Sequence, residues 1–191
     1  MKRKIIVPIL AAAAVLALAL AASGIGRNAA DTDRHILVAY FSATGNTKAV
    51  AETAATVLHG DLFRIVPVEA YTDADLGHGE DARVTREQAD PGSRPAIKNR
   101  VENWEQYDLI VIGYPIWGGD APRIISTFAE SYDFAGKKVA VFCTSGSSGV
   151  ENSRENLRAL LPEAEFLPGR RFEAAATVAD IRSWAAEAGI R

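Results

Sequence analysis

The residues best suited to chemistry sit in three short stretches, each at the end of an apolar run. The first is Ser42-Ala43-Thr44-Gly45-Asn46-Thr47. A β-branched run over 35–41 precedes it, and a helical pattern over 48–58 comes directly after. A strand, a hydroxyl-rich turn and a helix in that order aim backbone N–H groups and three hydroxyls at the positive end of a helix dipole, which is a place to hold a phosphate. Gly45 permits close backbone approach and a positive φ, and Asn46 is positioned to cap the helix. The stretch lacks the lysine of GxxxxGK[ST] and the glycines of GxGxxG, which excludes a nucleoside-triphosphate loop and a dinucleotide fingerprint. A phosphomonoester held by neutral donors fits it. The plainer alternative is a Ser/Thr turn that only starts a helix.

The second stretch runs Tyr114-Pro115-Ile116-Trp117-Gly118-Gly119-Asp120-Ala121-Pro122. Trp117 brings a large flat apolar surface among residues that cannot cover it, and Gly118 and Gly119 leave main-chain groups open. A heteroaromatic ring could lie here, bonded along its edge by backbone. The competing reading is an indole folded back onto the core. The third stretch, Thr144-Ser145-Gly146-Ser147-Ser148-Gly149, adds uncharged main-chain donors; alone it could equally be a flexible turn.

Apolar runs and helical patterns alternate around these stretches. Strands are expected over 36–41, 61–67 (edge-like, closed by Pro67), 109–114, 137–143 and 164–172, the last interrupted by Pro168-Gly169. Helices are expected over 47–58, 121–132 with Ile124, Ile125 and Phe128 inward, 152–161, and 177–188 with Val178, Ile181, Trp184 and Ala185 inward. Ile97, Val101 and Trp104 share one helical face, so 97–107 reads as a further helix. Residues 68–95 are rich in Asp, Gly, Glu and Arg and read as a long surface excursion with one short helix near 81–88; the part over 73–94 could select a partner or substrate. Strands separated by helical stretches imply a parallel sheet covered on both faces. All three loops come directly after strands and therefore gather at one sheet edge.

The amino end reads differently. Met1-Lys2-Arg3-Lys4 is basic, 5–22 is apolar, and Ala21-Ala22-Ser23 offers small residues for cleavage. Residues 1–23 read as a secretory signal peptide, with an uncleaved membrane anchor as the alternative, and 24–34 as a flexible leader. The chain is therefore expected to be exported: secreted, periplasmic or held on the outer face of a membrane, which it would touch only through an uncleaved amino end. Losing Lys2, Arg3 and Lys4 leaves 18 basic against 24 acidic residues, a net charge of −6 in place of −3. That balance does not suit a nucleic-acid partner. Cys143 is the only cysteine, so no internal disulfide forms, and its setting suits a small buried side chain rather than a redox thiol. His35, His59 and His78 lack ligand spacing, and no metal site is inferred.

The ordered trio SATGNT, YPIWGG and CTSGSSG resembles the flavodoxin superfamily, and in particular its short FMN-binding members. The resemblance covers 36–191. It implies a flavodoxin-like, doubly wound five-stranded parallel sheet of order 2-1-3-4-5 in three α/β/α layers, filling 35–191. It implies noncovalent FMN, with Ser42, Ala43, Thr44, Gly45, Asn46 and Thr47 about the phosphate. Pro115, Ile116, Trp117, Gly118 and Gly119 would border the ring, and Thr144, Ser145, Gly146, Ser148 and Gly149 its pyrimidine edge. No catalytic acid or base is implied. The implied role is electron transfer to a redox partner protein or small acceptor, docked at an acidic edge with Asp120 a candidate contact. The alternatives are an NAD(P)H- or quinol-dependent reductase of a small acceptor, and a flavin- or phospholigand-binding module without turnover.

Overall fold

The structure is a computed structural model that describes residues 35–77 and 79–190. The signal segment expected over 1–23 and the leader over 24–34 lie outside the described residues. Three strands, β1 (Ile36–Tyr40), β3 (Leu109–Pro115) and β4 (Lys138–Thr144), form the sheet's centre. Their largely apolar composition is what a strand covered on both faces requires. β2 (Asp61–Arg64) pairs outside β1, and all ladders are parallel, in the order β2-β1-β3-β4-β5. The fifth position is shared by β5 (Glu165–Phe166) and β6 (Arg170–Phe172), which pair with opposite ends of β4. Between them, Pro168 has no N–H to donate to a ladder. A side chain at Gly169 would press on Val141, 2.9 Å from its Cγ2 and 3.1 Å from its carbonyl oxygen. The interruption read from the sequence is therefore a complete break.

Side-chain alternation divides the core. Val38, Tyr40, Leu109, Val111 and Phe142 face α1 (Asn46–Leu58) and α5 (Val178–Ala188), while Leu37, Ala39, Ile110, Ile112 and Val141 face α3 (Arg123–Glu130) and α4 (Glu151–Leu160). α3 buries Ile124, Ile125 and Phe128 as expected. α5 starts in a capping box, with Thr177 Oγ1 accepting from the Asp180 N–H and Asp180 accepting from the Thr177 N–H. Ile181, Trp184 and Ala185 of α5 point inward, but Val178 is 44% exposed because it lies in the first turn beyond the sheet's cover.

The helix expected over 97–107 does not form; only a 3-10 turn, Trp104–Gln106, is present. The segment runs instead alongside the residues just after β2. Val68 N–H donates to Ala96 C=O at 2.8 Å and Lys98 N–H to Val66 C=O at 2.7 Å. The Asn99 amide accepts from Val66 N–H at 3.0 Å and donates to Arg64 C=O at 2.8 Å. These bonds satisfy the flank of the edge strand, which a helix would leave open. Ile97, Val101 and Trp104 still pack against the core. The short helix of the 68–95 excursion is α2 (Arg83–Ala89).

Cys143 is fully buried in β4, and burial, reinforced by the Glu151 carboxylate, pushes its thiol up to about 12. In the unfolded chain the thiol ionises near pH 8.5. Between these values only the native state keeps the proton, so its contribution to stability is whole below pH 8.5 and is lost as pH rises toward 12. The stability gap between wild type and Cys143→Ala is therefore expected to narrow in urea titrations from pH 8 to pH 11. A gap that stays constant would disprove this.

Candidate functional site

Because the sheet is parallel, the loops after β1, β3 and β4 emerge at the same edge. They converge on a cavity of about 770 Å³. Ser42, Ala43, Thr44, Asn46 and Thr47 line it from the first loop, Pro115, Ile116, Trp117 and Gly118 from the second, and Thr144, Ser145 and Gly146 from the third. Gly45, Gly119, Ser148 and Gly149, also expected at the site, are not among its lining residues.

The first loop turns on Gly45, whose φ of +100° is left-handed. Gly45 donates its N–H to Ser42 Oγ at 3.1 Å and occupies the N-cap position of α1 itself. Asn46 therefore does not cap the helix as expected; it is the first helical residue. The N–H groups of the first helical turn have no partner within their helix and remain available to a ligand. Thr47 Oγ1 lies 2.8 Å from Thr144 Oγ1, and both residues are buried, so a hydroxyl pair ties the first loop to the third.

The second loop is a two-residue hairpin turn. Trp117 and Asp120 exchange backbone bonds at 2.9 and 3.0 Å, around Gly118 and Gly119 with φ of +56° and +82°. Two successive left-handed residues are what a type I′ turn demands, and glycine meets the demand without strain. The Trp117 indole is neither free nor buried. It stands edge-on to Phe41 (5.4 Å, 90°) and Tyr71 (5.1 Å, 69°), which form an aromatic floor, and lines the cavity above them. The Asp120 side chain, read as a candidate docking contact, is only 14% exposed. Its carboxylate accepts from Ala121 N–H at 2.7 Å and Asn156 Nδ2 at 2.9 Å and pairs with Arg123 at 3.5 Å. It is thus consumed inside the fold.

The third loop hangs from β6. Ser145 donates its N–H to Phe172 C=O at 3.1 Å and accepts at its own carbonyl from Arg171 Nη1 at 2.8 Å. Its hydroxyl accepts from the N–H groups of Ser147 and Ser148. Arg171 thus positions this loop, a role without any motif to announce it.

The largest departure from expectation is the 68–95 excursion, which is a wall of the cavity and not only a solvated loop. Leu76, Gly77, Val84, Thr85 and Gln88 line the cavity, joined by Glu173 and Ala174 after β6. The excursion is fastened in several places. Tyr71 donates its hydroxyl to Glu87 at 2.5 Å, Arg83 lies 4.1 Å over the Tyr71 ring, and Arg83 pairs with Glu87 at 2.6 Å. Burial, and then the bond to Glu87, hold the Tyr71 phenol well above its ordinary range. Nothing in the spacing of Leu76, Val84 and Thr85 marked them.

The chemistry of the lining suits one ligand type. Among the described residues the wall carries no lysine or arginine and a single carboxylate, Glu173. It combines hydroxyls and helix N–H groups with the apolar side chains of Ile116, Trp117, Leu76 and Val84. The volume is that of a small-molecule site. A phosphomonoester joined to a flat ring fits this arrangement. Among the described residues no three His, Cys, Asp or Glu side chains group as a metal site.

The model of the flavodoxin family matches residues 35–188. The chain belongs to the flavodoxin family. Among solved structures, this flavodoxin is similar to a candidate flavoprotein from Bacteroides eggerthii, with 42% identity and a TM-score of 0.79 over 82% of this chain and 99% of the other. It is similar to a second candidate flavoprotein, from Bacteroides uniformis, with 42% identity and a TM-score of 0.77 over 80% and 98%. A flavoprotein from Lactobacillus acidophilus solved in complex with FMN shares the fold, at 22% identity and a TM-score of 0.63 over 80% and 99%. None of the curated proteins matches the chain.

Proposed function

We propose that this flavodoxin binds FMN at the loop edge and serves as an electron-transfer protein. One observation carries the reading: a single cavity combines neutral phosphate donors with an indole standing on an aromatic floor. Ser42, Thr44 and the N–H groups at the start of α1 would hold the phosphate. Trp117 and Ile116 would border the ring, and the Gly118–Gly119 backbone would meet its edge. FMN supplies the redox-active ring when bound. The chain's own part is to grip the phosphate without counter-charge, to set the ring's plane and to limit water at its apolar face. The relative solved with FMN and the family membership support the cofactor. The basic and apolar amino end supports export, so the redox partner we propose lies outside the cytoplasm.

The purified chain is expected to be yellow, or to become so when FMN is added, and to bind riboflavin far more weakly because the phosphate donors go unused. A colourless chain that takes up no FMN overturns the reading. A reductase of a small acceptor is favoured by one feature, the apolar side chains of Leu76 and Val84 in the cavity wall. Anaerobic mixing with NADPH separates the two: rapid bleaching without a partner supports the reductase, and a stable yellow band supports the carrier.

A further inference from the structure

The turn at Trp117–Asp120 is held from both flanks by side chains that belong to no cofactor motif. On one flank, α4 presents Asn152 and Asn156, four residues apart and so on one helical face. Asn152 Nδ2 donates to Gly119 C=O at 3.0 Å and Asn156 Nδ2 to the Asp120 carboxylate at 2.9 Å. On the other flank, Gln88 Nε2 donates to Trp117 C=O at 2.8 Å and to Ala121 C=O at 3.2 Å. Arg123 braces Gln88 in turn, donating to its backbone carbonyl at 2.9 Å.

The Gln88 amide is committed to this task at a cost. Its NH₂ faces two carbonyls, so the opposite amide orientation would set oxygen against oxygen. Its Oε1 is buried and has no hydrogen-bond partner among the described residues. A buried acceptor without a partner is unfavourable and calls for an explanation. Holding the turn supplies one. With Trp117 and Asp120 exchanging both backbone bonds and Gly119 C=O taken by Asn152, the Gly118 C=O and Gly119 N–H have no partner among the described residues. The peptide between the two glycines is therefore the free unit of an otherwise fastened turn, and both flanking residues have the φ freedom of glycine.

We propose that Gln88 and Asn152 are positioning residues that restrain this peptide and so tune the reduction potential of the bound cofactor. The inference rests on FMN occupying the cavity. A fastened turn resists swinging the Gly118 carbonyl toward a ring nitrogen that gains a proton on reduction. Releasing an anchor lowers that resistance, so reduced FMN gains affinity relative to oxidised FMN and the potential rises.

The test uses the full chain, with Asn152→Ala and Gln88→Met measured by redox titration and by FMN and riboflavin binding. Asn152 is exposed, so its variant keeps the test valid if the Gln88 change impairs folding. Each variant is expected to shift the ratio of oxidised to reduced FMN dissociation constants about fivefold to tenfold. Tenfold corresponds to a rise of about 59 mV in a one-electron step. The preference for FMN over riboflavin is expected to stay unchanged, since the phosphate end is untouched. A wild type that binds FMN, with variants whose potential is unchanged or lower, overturns this inference alone. A wild type that takes up no FMN overturns it together with the proposed function.

Discussion

Replacing Gly113 by valine is expected to destabilise the domain by about 3 kcal/mol, the upper end of what overpacking a core costs. Gly113 lies near the carboxyl end of β3, directly opposite Phe142 of β4. A Cβ there would enter the Phe142 ring. That ring cannot retreat, because Phe172 and Trp184 pack against it at centroid distances of 6.0 Å each. For a domain of this size the loss corresponds to a fall of roughly 6–12 °C in Tm. Adding Phe142→Leu should recover part of it, since the two changes share one space and are not additive. A Gly113→Val protein that melts within about 2 °C of wild type would mean that the sheet yields where this packing says it is rigid. The effect reaches the cavity, because β3 and β4 deliver its second and third loops.

Trp117→Ala is expected to weaken FMN binding about 30- to 150-fold. A ring laid against the indole removes roughly 100 Å² of apolar surface from water, about 2.5 kcal/mol at about 25 cal/mol/Å². The change also strips the cover from Phe41 and Tyr71, which the indole meets edge-on. Trp117→Phe keeps a flat ring on the same floor and should lose less than about fivefold. Titration of both variants by flavin fluorescence checks this. Equal affinity in Trp117→Ala and wild type would show that the indole only packs the core.

The loops at the cavity were legible because their strands were. An apolar β-branched run that stops at Ser42, Pro115 or Thr144 leaves few choices for the next residues, and a parallel sheet brings such stops together. The sheet order agrees with the family likeness, while the last strand divides into β5 and β6, both paired with β4. Where sequence reading fell short, tertiary contacts outweighed local pattern. Ile97, Val101 and Trp104 have helical spacing, yet Asn99 wires their segment to the flank of the sheet. Asp120 looks like an exposed acid after two glycines, yet Arg123 and Asn156 draw it inward. Gln88, Arg171 and Asn152 act through amide and guanidinium bonds to backbone carbonyls, and such bonds leave no periodicity in a sequence. The wall formed by Leu76, Val84 and Thr85 was hidden by the polar residues around it.

The domain's first described residue, His35, sits at the start of β1, while the cavity opens past the end of that strand. Five residues of strand, about 17 Å, separate the two. A domain fixed to a bead or an electrode at His35 would thus turn its coenzyme mouth toward the surrounding medium. Diffusing reactants would reach it unhindered, whereas direct conduction to the support would have to cross the thickness of the molecule.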